Sequence, residues 1–231
     1  MHEYVESWEI SLGGRLLAAD EIGEAFAYPH ALYRSYPKLG AMEEIFLPDN
    51  LNAVAVRVHA KSAAAGELVP WVDMRHIWEV PKPEYRIFWS KAKNVLLISR
   101  ADEPFPEGRP AWIAITANVP MDFASDERYR PTDYPKDAAR RAMARTNPFT
   151  PGRLTFTQPA GGKEPPTFVF GLGSDEKSAT AEAADLLSNF ARLKDEKLRR
   201  FEGLLSAAEI TTRDESINKT FRWARVSMDN L

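Results

Sequence analysis

The sequence predicts a mainly β protein, with a large antiparallel β-sandwich in front and helices at the C-terminal end. Short β-rich runs separated by turn residues fill residues 4–171, and no long helical pattern separates them. This arrangement favours an antiparallel sandwich over a parallel sheet. The composition then changes, because the last of the 17 prolines is Pro166 and apolar residues beyond position 174 recur at helical spacing.

The strand predictions rest on turn residues and on alternation. Gly13-Gly14 ends the first run, and the Pro-Asp-Asn sequence at residues 48–50 forms a turn before the run at residues 51–60. Within that run valine recurs at every second position, which is the period of a half-buried strand. The predicted strands are residues 4–12, 15–18, 45–47, 51–60, 68–74, 85–89, 95–99, 112–119 and 167–171.

Residues 122–151 interrupt this pattern. They hold Pro131, Pro135, Pro148 and Pro151, and their only helical candidate is the short stretch 136–145. A connection of this length is often functional or packed on a neighbour, and an ordinary surface loop explains it equally well. Both interpretations stay open.

Residues 178–205 predict one long amphipathic helix. Its charged side includes Lys194, Glu196 and Arg200. At ~1.5 Å per residue the helix would be roughly 40 Å long. Its apolar side consists of Ala183, Leu186, Phe190, Leu193, Phe201 and Leu204.

Residues 211–231 predict a second helix, which a capping box of Thr212 and Glu215 would open. Its apolar residues continue to the last position and need a packing partner. We therefore expect a sandwich domain at residues 1–173, and a helical linker with the beginning of a further helical domain at residues 174–231. The apolar face, named here the terminal stripe, consists of Ile217, Phe221, Ala224, Met228 and Leu231.

Composition excludes several classes of function. The net charge of −3 argues against nucleic-acid and anionic-membrane partners, which require a basic surface. The absence of cysteine removes disulfides, thiolate metal sites and thiol nucleophiles. No apolar run approaches the ~20 residues of a membrane span, and the first residues lack the pattern of a signal peptide. A signal peptide already removed would leave the same sequence, so the compartment, cytoplasmic or periplasmic, stays open.

The sequence contains no recognisable metal or cofactor motif. No histidine lies at a metal-ligand spacing from another, so we expect no metal site. Gly171-Leu172-Gly173 begins like a dinucleotide-binding loop but lacks the third glycine, and a strand-to-helix turn explains it better. We expect no cofactor.

Two pairs of adjacent carboxylates, Glu43-Glu44 and Asp126-Glu127, are candidates for acid/base chemistry. Adjacent residues of a strand point to opposite faces, so Glu43 and Glu44 would not converge on one substrate atom. We expect these side chains to lie in solvated turns or at strand edges.

Aromatic residues are the more informative class. Sugars stack their C–H faces on exposed rings, but aromatic side chains more often fill a sandwich core or an interface. Because Phe88 and Trp89 point to opposite faces of a strand, at least one of them can be exposed. The cluster comprises Trp71, Trp78, Tyr85, Phe88 and Trp89.

The C-terminal segment carries a family resemblance. Residues 223–231, Trp-Ala-Arg-Val-Ser-Met-Asp-Asn-Leu, are similar to the phrase W-A-(K/R)-x-S-(L/M)-D-x-L. The chain resembles the N-terminal region of bacterial amylo-alpha-1,6-glucosidases, glycogen-debranching-like glycoside hydrolases with an α/α toroid catalytic domain. A weaker similarity lies in residues 68–75, which resemble the strand of these sandwiches that enters a D-x-R turn.

The resemblance implies a supersandwich, a helical linker and the first helix of an α/α toroid that continues beyond residue 231. The general acid and base would belong to that toroid, so no residue of this chain carries over as catalytic. In related enzymes a sandwich loop can reach the rim of the catalytic pocket, which makes Asp73 and Arg75 candidates for substrate binding beside Trp71 and Trp89. The expected interface residues toward the catalytic domain are Phe221, Trp223 and Met228.

The sequence therefore leaves three alternative functions. The leading one is a non-catalytic N-terminal domain of a glycoside hydrolase acting on α-glucans or related oligosaccharides, which packs on and stabilises its catalytic helical domain. The second is an independent carbohydrate-binding sandwich. The third is a sandwich that forms dimers through the terminal stripe.

Overall fold

The computed structural model describes residues 5–62, 64–74, 84–101, 111–129, 148–158, 164–207 and 210–229. Over this part of the chain two antiparallel sheets form a sandwich, and two helices follow the last strand. The predicted fold class, a mainly β sandwich followed by helices, is confirmed. The division into domains at residues 173 and 174 stays a prediction.

The strands of the described residues form a five-stranded and an eight-stranded sheet. In chain order they are β1 (Val5–Leu12), β2 (Arg15–Leu16), β3 (Glu24–Ala27), β4 (Leu32–Tyr36), β5 (Ala41–Phe46), β6 (Ala53–Ala60), β7 (Ala64–Val72), β8 (Tyr85–Ser90), β9 (Val95–Arg100), β10 (Trp112–Ala117), β11 (Met121–Tyr129), β12 (Phe149–Gln158) and β13 (Thr167–Gly173). The five-stranded sheet has the order β11-β12-β7-β1-β2. The eight-stranded sheet has the order β3-β4-β5-β6-β13-β10-β9-β8.

Part of the strand pattern differs from the sequence prediction. Strands β3, β4, β11 and β12 were not predicted, and β11 with the start of β12 lies in the stretch that was expected to be irregular. All four residues of β3 and most of those of β11 are exposed, so neither strand shows apolar alternation. The helix predicted at residues 136–145 lies outside the described residues.

The main core lies between the two sheets, and strand β13 shows how the sequence builds it. Phe168 and Phe170 point inward into this core, whereas Val169 points outward. Phe168 meets Phe156 of the opposite sheet with ring centroids 4.7 Å apart. Each such buried ring contributes about 1.5–3 kcal/mol through removal of its surface from water.

A long helix, α1 (Glu176–Ser206), packs on the outer face of the eight-stranded sheet and forms a third layer. Asp175 caps it, because its carboxylate accepts a hydrogen bond from the Ser178 backbone N–H and the Ser178 hydroxyl accepts one from the Asp175 N–H. The predicted apolar side is confirmed in its buried members, which are Ala183, Leu186, Phe190 and Phe201.

Gly171 and Gly173 explain how closely this helix approaches the sheet. A Cβ atom on Gly171 would lie 2.5 Å from the Ala179 carbonyl oxygen and the Ala183 backbone nitrogen. The glycines of the Gly-Leu-Gly sequence therefore serve sheet-to-helix packing, in agreement with the strand-to-helix turn that the sequence favours.

The second helix, α2 (Glu215–Asp229), begins later than a capping box of Thr212 and Glu215 would require. Asp214 immediately precedes it, and the Asp214 carboxylate accepts hydrogen bonds from the backbone N–H and the hydroxyl of Ser216. The predicted cap residue, Thr212, is therefore wrong. Asp214 caps the helix instead, because its carboxylate lies nearest to the free backbone N–H groups of the first turn. Neither α1 nor α2 is long and apolar enough to cross a membrane.

Candidate functional site

The residues predicted to bind substrate are spread over both sheets. Trp71, at the end of β7, is only 5% exposed, and its indole N–H donates to a Glu9 carboxylate oxygen at 2.9 Å. Asp73 follows β7 and is half-buried, whereas Arg75 lies outside the described residues. Trp89 lies on β8 of the other sheet and packs against the main core. Their role in substrate binding stays a prediction.

Of the predicted aromatic cluster, Phe88 is the exposed member among the described residues. Its ring stacks on Trp112 at 6.1 Å, on the face of β8 opposite to Trp89. Tyr85 stacks on Phe149 at 4.5 Å inside the sandwich, and Trp78 lies outside the described residues. In this region the rings therefore mostly fill the core, as most aromatic side chains of a sandwich do.

The predicted interface residues lie on α2. Trp223 is 46% exposed and Phe221 is half-buried, while the side chain of Met228 lies outside the described part. Val226, which is 5% exposed, is the buried apolar residue of this helix among those described. Arg225 donates a hydrogen bond to the Leu205 carbonyl at the end of α1, 3.2 Å away. The contact of α2 with a further domain stays a prediction.

The adjacent carboxylates Glu43 and Glu44 are buried, each 2% exposed, so their expected place in solvated turns or strand edges is wrong. They do point to opposite faces of β5. Glu43 points into the sandwich, where it accepts hydrogen bonds from the Trp8 indole, from Arg34 at 3.3 Å and from the Tyr36 hydroxyl at 3.4 Å. Burial, together with the Glu43 charge, raises the pKa of Tyr36 to about 12.

Glu44 points outward, beneath α1. Its carboxylate accepts hydrogen bonds from Lys194 of α1 and from the Tyr33 hydroxyl at 3.2 Å, and it contacts the His59 ring nitrogen at 3.3 Å. Burial alone would raise the pKa of Glu44, but the bonds from His59 and Lys194 outweigh it and lower the pKa to about 2. Glu44 is therefore ionised at neutral pH and ties α1 to the sheet.

The cross-strand register places further side chains on this outer face. Phe26, Tyr33, Glu44 and Arg57 are successive partners across β3 to β6, so they share one face. The rings at the open end of this row form what we name the aromatic platform. It consists of Phe26, Tyr28, His30 and Tyr33.

A depression of about 480 Å³ adjoins the platform. Ser35, Met42 and His59 line it, and they form the neighbouring row of the same face. The remaining lining residues are Pro37, Gly40, Ala41, Ala60 and Lys61. Aromatic rings, a hydroxyl, an imidazole and a buried carboxylate therefore lie together on one surface.

Sequence reasoning missed this surface. Its signal was present in the stretch 26–36, Phe-Ala-Tyr-Pro-His-Ala-Leu-Tyr-Arg-Ser-Tyr, where aromatic residues recur on both sides of a Pro-His turn. Without β3 and β4 there was no hairpin to bring these rings together. Over the described residues no group of three or more His, Asp or Glu side chains could hold a metal ion.

Comparison with known proteins shows similarity in fold. No protein-family model matches the sequence, and no curated protein matches it. The chain is similar to part of a family GH92 inverting mannosidase from Bacteroides thetaiotaomicron, with a TM-score of 0.56 over 87% of this chain at 11% identity. It is also similar to part of a bacterial glucoamylase solved with acarbose, with a TM-score of 0.53 over 87% of this chain at 10% identity.

The chain has a fold that occurs in glycoside hydrolases. This glycoside-hydrolase-like sandwich spans 26% of the mannosidase chain and 32% of the glucoamylase chain. Identities of 10 and 11% show the fold alone. The function must therefore be argued from the surfaces described above.

Proposed function

We propose that the chain is the non-catalytic β-sandwich region of a glycoside hydrolase that acts on α-glucans or related oligosaccharides. The observation that carries this proposal is the similarity in fold of 87% of the chain to part of two glycoside hydrolases, one of them a glucoamylase. The chain spans a third or less of either protein, so the activity of the whole enzyme is part of the proposal.

Within this class we assign the whole protein to the amylo-alpha-1,6-glucosidases, which are glycogen-debranching-like. The support is the phrase at residues 223–231, which resembles the start of a toroid helix. Residues 215–229 form helix α2, so the phrase lies on a helix as far as Asp229.

The buried carboxylates support a non-catalytic role. Glycoside hydrolysis requires two carboxyl groups about 5–5.5 Å apart for retention, or about 6.5–9.5 Å apart for inversion, that face one substrate. Glu43 and Glu44 point to opposite faces of β5, and each accepts hydrogen bonds from side chains of this chain. They act in the fold, as an inner and an outer anchor of the same strand.

The terminal stripe supports packing on a helical catalytic domain. Ile217 is 50% exposed, and it lies nine residues, or two and a half turns, before the buried Val226. The two therefore lie on opposite sides of α2, so the side that packs within this chain is not the side that carries the stripe. An apolar face at the surface of a helix is typical of a docking surface.

The proposed role is tested by an assay of turnover. The purified 231-residue chain is incubated with maltoheptaose and with panose, which contains an isomaltosyl linkage, and released glucose is measured. We expect no release above that of a heat-denatured sample of the same chain. Glucose release that rises with chain concentration and disappears in a Glu or Asp variant would contradict the non-catalytic role.

An independent carbohydrate-binding sandwich is the second candidate, and the exposed rings of the aromatic platform favour it. Phe26 is 43% exposed and Tyr28 is 51% exposed. Trp71 and Trp89, the rings first expected to contact sugar, are buried or half-buried, so their truncation would remove packing as well as any sugar contact. The platform residues are therefore better placed to test this function.

A further inference from the structure

We infer that the outer face of β3 and β4, together with the Met42 end of β5, is a binding site for a neutral oligosaccharide. The aromatic platform provides the stacking surface, and the adjoining depression provides polar groups. The carbohydrate class of the ligand rests on the proposed function, whereas the position of the site rests on the geometry of the described residues.

Helix α1 leaves β3 exposed and covers β4 and β5 only in part, since Lys194 lies over the Tyr33 ring, 5.4 Å from its centroid. It packs on β13, β10 and β6, and it reaches β5 through the ring pair of Phe190 with Phe46 and through Lys194. All four residues of β3 are exposed. Neighbouring strands lie about 4.8 Å apart, so the open strip is about 10 Å wide along the row of Glu24, Ser35 and Met42, enough for a single sugar chain. It narrows toward Glu44 and Phe46, which are buried on β5.

The rings of the platform hold one another in place. The Tyr28 ring stacks on His30 at 5.7 Å and meets the edge of Tyr33 at 5.8 Å. The Tyr33 hydroxyl is fixed in turn by its hydrogen bond to Glu44. A surface ring that is already ordered loses little conformational entropy when a ligand stacks on it. Tyr28 and Phe26 therefore offer apolar faces of the kind that pyranose C–H groups cover.

The polar groups of the site favour a neutral ligand with many hydroxyls. The charge of Lys194 is matched by that of Glu44 beneath the platform. Burial lowers the pKa of His30, and the nearby Lys194 charge lowers it further, so His30 is neutral at neutral pH. Ser35 and His59 line the depression, where a hydroxyl and an imidazole can exchange hydrogen bonds with sugar hydroxyls.

A protein partner fits this surface less well. Stable protein interfaces bury about 800 Å² on each partner, and their centres are depleted of charge. Here Tyr33, which neighbours both exposed rings, contacts the ionised Glu44 and Lys194. The apolar rings are therefore interrupted by polar groups, as in a saccharide site.

The inference is tested by isothermal titration of the full 231-residue chain with maltoheptaose and, separately, with an α-linked mannotriose. We expect binding of at least one of the two probes, and at least about tenfold weaker binding in Tyr28→Ala and in Phe26→Ala, since tenfold corresponds to 1.4 kcal/mol. Leu16→Ala is the matched control, because Leu16 is 45% exposed, close to the 43% of Phe26, but lies on β2 of the other sheet. We expect this variant to bind within about twofold of the parent chain.

Three results would overturn the site. In the first, the parent chain binds neither probe. In the second, the parent chain binds a probe and neither platform variant weakens that binding. In the third, the platform variants lose self-association but still bind sugar, which would make the surface a protein interface. Thermal unfolding of each variant shows whether it is folded, and because Phe26 and Tyr28 are both exposed, at least one of the two variants should remain testable. If the chain binds neither probe and hydrolyses neither, the binding site is contradicted but the non-catalytic role is not. Turnover of a probe would contradict the non-catalytic role, whatever the position of the sugar site.

Discussion

At the scale of single residues, Glu44 shows how a buried charge connects two distant parts of the chain. It lies on β5, and its partner Lys194 lies 150 residues further on, in α1. The bonds from His59 and Lys194 outweigh the effect of burial and hold its pKa at about 2. Removal of one partner of such a pair leaves the other charged and unsatisfied, which costs more than the pair contributes.

We predict that Glu44→Gln lowers the free energy of unfolding by about 2 kcal/mol at pH 7, because Lys194 loses its counter-charge. The folded pKa of about 2 lies below the ordinary value of 4.5, so ionised Glu44 stabilises the fold above pH 4.5, and this contribution is lost as the pH falls toward 2. Urea unfolding between pH 7 and pH 2.5 measures both effects. The difference between parent and variant should narrow with acid.

Glu24→Gln is the matched control, because Glu24 is an exposed carboxylate on β3 of the same sheet. We expect its free energy of unfolding to stay within about 0.5 kcal/mol of that of the parent chain. A Glu44→Gln variant as stable as the parent at pH 7 would show that the ion pair does not hold α1 to the sheet.

The sequence predicts the directions of Glu43 and Glu44 but not their burial. Alternation along a strand is local, so the opposite faces of the two side chains follow from their adjacency. Their burial depends on Trp8 of β1 and Lys194 of α1, which reach them only in the folded chain. The same reason hides the aromatic platform, whose rings come together only when β3 pairs with β4.

At the scale of elements, the contact between β13 and α1 depends on the absence of side chains. Gly171 lies on the outward face of β13, directly against the backbone of the first turns of α1. The buried residues Ala179 and Ala183 are also small, so the helix can approach the strand closely. A backbone contact of this kind cannot be relieved by a change of rotamer.

We predict that Gly171→Ala destabilises the protein by about 2 kcal/mol or more, because the new methyl group would meet backbone atoms of α1 at 2.5 Å. Gly203→Ala is the matched control, and we expect it to raise the free energy of unfolding. Its Cβ would meet nothing within 4 Å, and Gly203 lies inside α1, where alanine is favoured over glycine by about 0.5–1 kcal/mol. Thermal unfolding of the two variants measures both changes, and a Gly171→Ala variant that melts at the parent temperature would contradict the close approach.

Most of the elements that were predicted bury one face, whereas the exposed strands β3 and β11 were missed. The long helix α1 and the strands β1, β6, β9, β10 and β13 were predicted, and their predicted ranges agree with the structure within a few residues. The inner strands β4 and β12 were not predicted. Strand β3 is exposed throughout, and β11 is exposed over most of its length, so pairing with a neighbouring strand holds them extended without apolar alternation. The start of α2 was placed too early because Thr212 and Glu215 match a capping box by type, while Asp214 lies directly before the helix.

At the scale of the whole molecule, three layers leave two surfaces that the described part of the chain does not cover. The five-stranded sheet, the eight-stranded sheet and α1 pack against one another through two apolar clusters. The aromatic platform lies beside α1 on the outer face of the larger sheet, and the described residues of the terminal stripe lie on α2. The two surfaces differ in chemistry, since one combines rings with charges and the other is apolar, so they are suited to different partners.

The terminal stripe predicts that the 231-residue chain associates with itself. In the proposed enzyme this apolar helix face packs on the catalytic domain, and in the isolated chain it can be buried against a second copy. Sedimentation velocity over a range of concentrations should show a rising sedimentation coefficient for the parent chain and a constant, monomeric one for Ile217→Ser combined with Phe221→Ser. Leu16→Ser is the matched control, because Leu16 is 45% exposed on β2, away from α2, and should leave the association unchanged. A parent chain that is strictly monomeric, or association that the double variant retains, would contradict self-association through the terminal stripe.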